Sequence, residues 1–191
     1  MNFLIQAGLS IIIFIISGFP LTAQTSWRSK SWKTVEGNTH SLQIPTGETL
    51  ILIFLAPECP LCISYAPKLR QLSAQYSTKN KFHWVGIFPG TQYNLAEMKL
   101  YLKENPLGFT CILDPNKHLS QELQASVTPE CMVLDATGKK IYQGRIDNWA
   151  YALSKKRTVI TSHDLQDVLE KRSKGEKIPF RKTQAVGCLI E

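Results

Sequence analysis

The sequence lacks internal repeats and low-complexity stretches, which excludes solenoids, arrays and long flexible linkers. It has one CxxC and no second CxxC, CxxH or HxxxH, so the four-ligand spacing of a structural zinc site is missing. Its basic residues are not interleaved with aromatics and no recognition motif accompanies them, which argues against nucleic-acid binding. Charged side chains make up only 19% of the chain and hydrophobic ones 43%, a balance that excludes a disordered protein. Residues 1–23 carry no charge at all.

That uncharged start is the first positive signal. Residues 9–16 are almost wholly apolar, Ser17-Gly18-Phe19-Pro20 breaks the run, and Leu21-Thr22-Ala23 follows. The pattern predicts a secretory signal peptide over 1–23 with cleavage near Ala23. An uncleaved N-terminal anchor is the alternative, because residues 3–23 are nearly long enough to span a bilayer. No cysteine follows the run, so a lipoprotein anchor is not expected. Export, to the periplasm or outside the cell, puts the five cysteines in an oxidising compartment where disulfides persist. An odd count leaves at least one thiol free or engaged in exchange.

The stretch from Thr49 to Tyr65 organises the rest. Residues 50–56 are apolar, too few to cross a membrane, and read as a buried strand. Cys59-Pro60-Leu61-Cys62 follows at once. A helical pattern comes next, in which Ile63, Ala66, Leu69 and Tyr76 supply an apolar face with Leu72 near its edge. A CxxC where a strand hands over to a helix is suited to redox chemistry. The free N–H groups and positive dipole end of the helix favour a thiolate, so Cys59 is the expected nucleophile. Cys62, one turn in, is the expected less exposed disulfide partner. A structural bridge here would close almost no loop and stabilise little.

Residues 52–67, with Pro67 five positions after the second cysteine, resemble the active-site segment of the thioredoxin superfamily. Val127-Thr128-Pro129-Glu130 and the run after it resemble that superfamily's cis-proline loop. More narrowly, the chain is similar to secreted bacterial redoxin-domain proteins related to the peroxiredoxin and TlpA-like branches. The pieces that carry this likeness are Gly144-Arg145-Ile146-Asp147, Thr161-Ser162-His163-Asp164-Leu165 and Ala185-Val186-Gly187-Cys188. The resemblance implies a cis peptide before Pro129, and a backbone edge at Thr128 on which an extended substrate pairs. Pro60, Thr128 and Pro129 are therefore the candidate substrate contacts.

The remaining pattern fits an α/β fold. Strands are expected over 40–44, 81–88 and 109–113, a helix from Leu95 ending before Asn105-Pro106, and a helix opening at Asp114-Pro115. A hairpin follows, 131–135 and 140–146, then a loop over 147–158. Thr161 with Asp164 approximates a capping box, and Leu165, Val168 and Leu169 give the final helix its buried stripe. This order predicts a mixed central sheet with helices on both faces. The strand and helix before Thr128 match the insertion of redoxin-type proteins. The expected organisation is a lead-in at 24–38 bearing Trp27 and Trp32, a domain at 39–178, and a tail at 179–191 that folds back through Phe180, Val186, Leu189 and Ile190.

Other candidates are weaker. Residues 50–56 hold no acid, so the proton acceptor for the second thiol is unassigned, and Glu58 beside Cys59 opposes a thiolate unless solvent screens it. Cys111 and Cys131 fall in strands and read as small apolar residues. Cys188, in the tail, is a candidate third redox thiol. His163 is a weak ligand candidate, since Sco-type copper proteins of this fold add a distant histidine to two cysteines, spaced CxxxC and not CxxC.

The leading expectation is an exported thiol–disulfide oxidoreductase working on protein thiols and disulfides with a redox partner, needing no cofactor or metal. The alternatives are a peroxiredoxin-type peroxidase, which lacks its usual Thr or Ser before Cys59, and a Cu(I)-delivery protein. Residues 155–182 hold nine Lys/Arg against four acids, a basic region that could meet an anionic membrane surface.

Overall fold

The strand that runs into the CxxC is buried on both faces, and the reason lies in what covers each. In the computed structural model, which describes residues 27–77 and 81–191, the elements in chain order begin with β1 (Ser31–Lys33), β2 (Thr39–Ser41), β3 (Thr49–Phe54) and α1 (Pro60–Gln75). Then come β4 (Phe82–Pro89), α2 (Leu95–Glu104), β5 (Thr110–Asp114), α3 (His118–Leu123), β6 (Val127–Thr128), β7 (Glu130–Asp135) and β8 (Lys140–Gly144). The last are β9 (Ala150–Ala152), β10 (Lys155–Lys156), α4 (Asp164–Ser173), β11 (Arg181–Lys182) and β12 (Cys188–Leu189).

The central sheet has the order β11-β8-β7-β3-β4-β5. β3 is parallel to β4 and antiparallel to β7, with Ile53 opposite Gly86 on one side and Cys131 on the other. Mixed pairing of this kind places β3 in the interior of the sheet, and alternate side chains serve opposite faces. Ile51, Ile53 and Leu55 join the core under α1, α2 and α4; Leu50, Leu52 and Phe54 join Leu119 and Leu123 of α3 together with Trp27, Trp32 and Leu42. The second face is thus closed largely by the N-terminal hairpin β1–β2 and the tryptophans around it. The Trp32 indole N–H donates to the Trp27 carbonyl at 3.1 Å.

Several local expectations are corrected. On α1, Ile63 is exposed while Leu61, Cys62, Tyr65, Ala66, Leu69 and Leu72 are buried. One residue is a rotation of about 100° on a helix, so a stripe through Cys62, Tyr65, Ala66 and Leu69 turns Ile63 outward. The helix expected at Asp114 starts at His118, because Lys117 is left-handed at φ 55°. Asp114 instead accepts hydrogen bonds from the N–H groups of Leu119 and Ser120 and from the Ser120 hydroxyl, satisfying free donors of α3.

The Thr161–Asp164 capping box does not form. Thr161 pairs with Asn148 through both its N–H and its hydroxyl, and Asp164, fully buried, is held by Arg145 and Arg181. The segment 147–158 is not all loop. It carries the small β9–β10 hairpin, with Lys156 over the Trp149 ring at 4.5 Å and Arg157 over Tyr151 at 5.0 Å. Arg181 is spent on Asp164, Lys174 pairs with Glu170 and Arg172 reaches Thr49, so the basic region is not one free patch.

Candidate active site

β3 delivers the chain to the site. The short loop after it brings Cys59 to the N-cap of α1 in extended conformation (φ −72°, ψ 115°), its N–H donating to the Ala56 carbonyl and its own carbonyl accepting from Ile63. Pro60 takes the first helical position, where a missing N–H is harmless. Cys62 follows one turn in, fully buried, its sulfur accepting from the Ala56 N–H at 3.4 Å. The Tyr101 hydroxyl of α2 donates to the Cys62 carbonyl at 3.2 Å and ties the first turn of α1 to the neighbouring helix.

Opposite the cysteines stands the loop between β6 and β7. The Thr128–Pro129 peptide is cis, and the Thr128 carbonyl accepts from the Cys59 thiol at 3.0 Å. The Thr128 hydroxyl also donates to the Cys188 carbonyl at 3.4 Å. The tail returns here: β12 lies antiparallel on β6, with Cys188 opposite Thr128. The structure therefore brings together Cys59, Cys62, Thr128 and Cys188, with Pro60 exposed at the rim. All five cysteines are unbridged.

The electrostatics separate the two thiols of the motif. Cys59 is lowered to about 5, and the largest cause is the hydrogen bond it receives from the Cys62 thiol, which outweighs burial. The Cys188 thiol and the N–H groups of Cys62 and Cys188 add to it. The Cys62 N–H belongs to the free first turn of α1, so the helix end contributes through it. Burial pushes Cys62 well up, and the charge on Cys59 pushes it further. Burial first, then Cys59, raises Cys188 to about 12. Glu58 is exposed and its side chain is not among the causes of the Cys59 shift.

Cys59 itself is only 1% exposed, although it is the expected nucleophile. Beside it a cleft of about 570 Å³ is lined by Glu58, Gln92, Tyr93, Lys117, Cys188 and Leu189. Tyr101 and Tyr93 were not singled out from the sequence. Tyr101 falls three residues after Met98 on the buried side of α2, a spacing that marks the stripe but not the hydroxyl's target.

The remaining candidates lie apart from this cluster or are inert. Cys111 and Cys131 are buried, and burial raises both thiols. His163 is the N-cap of α4 without a side-chain capping bond. Among the described residues no three of His, Cys, Asp and Glu gather as a metal site, so His163 does not join the cysteines. Among the described residues no carboxylate hydrogen-bonds to Cys62; its sulfur accepts from the Ala56 N–H. The signal-peptide expectation lies outside the described residues, and among those described no helix is long and apolar enough to cross a membrane.

A strand–CxxC–helix unit facing a cis-proline loop on a mixed sheet defines a thioredoxin-like redox domain. Residues 23–159 match the Redoxin family, and the chain belongs to that family. The methylamine utilization protein MauD of Methylophilus methylotrophus is 27% identical over 135 residues, which are 70% of this chain and 60% of that protein. The chain thus spans less than two thirds of that relative's length.

Among solved structures, an uncharacterized conserved protein from Geobacillus kaustophilus superposes with a TM-score of 0.71 at 20% identity, over 84% of this chain and 87% of the other. A secreted Mycobacterium tuberculosis disulfide oxidoreductase homologous to E. coli DsbE superposes with a TM-score of 0.52 at 21% identity, over 76% of this chain and 95% of the other. At these identities the likeness is one of fold.

Proposed function

We propose that this protein is an exported thiol–disulfide oxidoreductase that exchanges disulfides with protein substrates through Cys59 and Cys62. The observation that carries the reading is the arrangement of the pair: Cys59 heads α1 with its sulfur 3.0 Å from the carbonyl of Thr128 in the cis-proline loop, and Cys62 is fully buried one turn behind it, Cys59 lowered and Cys62 raised in pKa by these surroundings. In reduction, the Cys59 thiolate attacks one sulfur of a substrate disulfide, and the other substrate sulfur leaves as a thiolate that takes up a proton. Cys62 then gives up its proton and attacks the Cys59 sulfur. The Cys59–Cys62 disulfide forms and the substrate's remaining sulfur leaves, so two electrons have passed to the substrate. Once Cys59 is in a mixed disulfide it carries no charge, which removes one of the influences that keep Cys62 protonated.

The Ala56 N–H, which donates to the Cys62 sulfur at 3.4 Å, is the group placed to ease that proton's departure by holding the thiolate it leaves. The backbone edge of β6 is the docking strand for an extended substrate, with Pro60 and Pro129 bordering it. Export is supported by the uncharged apolar segment 1–23.

The test is equilibration of the pair with reduced and oxidised glutathione. Conversion of Cys59 and Cys62 as a two-electron couple is expected. A Cys59 that forms no mixed disulfide with glutathione would overturn the reading. Rapid hydrogen peroxide consumption dependent on Cys59 alone would point to a peroxidase in its place.

A further inference from the structure

The strand edge assigned above to the substrate is already occupied, and by this chain. Leu189 pairs with Val127 and Cys188 with Thr128; the Ile190 N–H donates to the Ser126 carbonyl at 3.1 Å. Val186 and Cys188 pack on the core cluster that contains Cys59 and Cys62, and Ile190 packs on the cluster across the sheet. The approach is close enough to need a residue without a side chain. A Cβ on Gly187 would stand 2.2 Å from the Thr128 carbonyl oxygen and 2.6 Å from its carbon, both backbone atoms that cannot swing aside. The pairing also sets Cys188 opposite Thr128, whose carbonyl oxygen lies 3.0 Å from the Cys59 sulfur.

Building on the exchange reading, we propose that residues 186–190 are the site's own substrate strand: they occupy the β6 edge in place of a client segment, and Cys188 exchanges with Cys59 as a client cysteine would. The ligand class this implies for the edge is an extended peptide with glycine immediately before its cysteine and apolar residues after it.

The internal step is electron-neutral. With the pair oxidised, the Cys188 sulfur attacks the Cys59 sulfur, a Cys59–Cys188 bond forms, the Cys59–Cys62 bond breaks, and the proton lost by Cys188 is taken up by Cys62. The reverse step restores the pair. A client must displace the strand before it reaches Cys59, which explains why the nucleophile is covered.

The experiment uses Cys62→Ser protein and oxidised glutathione. Cys59 attacks the glutathione disulfide and releases one half; Cys188 then attacks the Cys59 sulfur and releases the other. Release of both halves, with a Cys59–Cys188 peptide in mass mapping, is the expected result. A Cys59 that stays glutathionylated while Cys188 remains open to alkylation overturns the proposal and leaves the exchange reading standing. A Cys59 that is never glutathionylated brings down both.

Gly187→Ala supplies the second arm. Its added Cβ should loosen the strand, so that iodoacetamide modifies Cys59 about tenfold faster, the effect of losing about one hydrogen bond's worth of docking. The peptide Ala-Val-Gly-Ser-Leu-Ile added in trans should restore protection. An alkylation rate unchanged by Gly187→Ala overturns the occupancy.

Discussion

The Cys59 sulfur lies 3.0 Å from the carbonyl oxygen of Thr128, a residue 69 positions further along the chain. As a thiol Cys59 donates to that oxygen. As a thiolate it has no proton to give and is held instead by the N–H groups of Cys62 and Cys188 and by their thiols. The contact therefore belongs to the protonated form, and the pH at which it is lost should be readable in the chemistry.

Alkylation of Cys59 in the reduced protein should rise as pH passes through about 5 and be level by neutrality. A rise centred near the ordinary thiol value of about 8.5 would show that the thiolate is not stabilised. Stability should follow with a definite sign. The folded Cys59 releases its proton at about 5, whereas the unfolded one keeps it to the ordinary 9.0. Between these values the unfolded chain binds more protons, so the reduced fold gains stability as pH rises and loses it as pH falls back through about 5. Urea titrations across this interval should show the slope in native protein and a shallower one in Cys59→Ser.

A stabilised thiolate favours the reduced pair, which makes the couple more oxidising. Its midpoint potential against glutathione is expected above thioredoxin's roughly −270 mV. A value at or below that figure would mean that the disulfide form is stabilised just as strongly. Cys188→Ala removes one of the hydrogen-bond donors to Cys59 and should move the potential downward.

Cys62→Ser should leave Cys59 able to attack but unable to release its product. With a disulfide-bonded protein as substrate, a covalent complex should accumulate that survives non-reducing electrophoresis, while turnover falls to background. Cys59→Ser should give neither complex nor turnover. A complex formed through Cys62 in the Cys59→Ser protein would reverse the assigned roles.

Gly86 sits in β4 where a Cβ would lie 2.4 Å from the Cys111 sulfur. Gly86→Ala should cost about 1–3 kcal/mol by overpacking. Adding Cys111→Ala removes the obstructing sulfur and should recover a good part of the loss, a coupling that a double-mutant cycle measures directly. Cys111→Ala alone should leave redox exchange unchanged.

Asp164, 0% exposed, holds Arg145 at 2.8 Å and also pairs with Arg181, linking the residue after β8 to α4 and β11. Asp164→Ala should destabilise the fold by about 3 kcal/mol, near the lower end for breaking a buried pair, because both arginines can reach water. Chemical denaturation checks this, and the Cys59 pH profile should not move.

The strand, the CxxC and the helix after it were legible because their physics is local. A short apolar run, a CxxC and a helical period lie within about two turns of one another, and the dipole argument needs nothing from elsewhere. The mixed sheet with helices followed from the alternation of patterns, and Leu165, Val168 and Leu169 were readable as a stripe for the same reason.

Where the reading failed, a distant partner had displaced a local preference. Thr161 and Asp164 have capping-box spacing, but Asn148 claims the one and two arginines claim the other. Asp114 looked like the opening of a helix and is instead the acceptor for its free N–H groups. Sequence alone determined that Cys59 heads a helix one turn before Cys62. Only the tertiary structure decided that Thr128 and Cys188 close over Cys59. Those are contacts between segments far apart in the chain, brought together by strand pairing at β6 and by a glycine at 187 that lets the backbones meet.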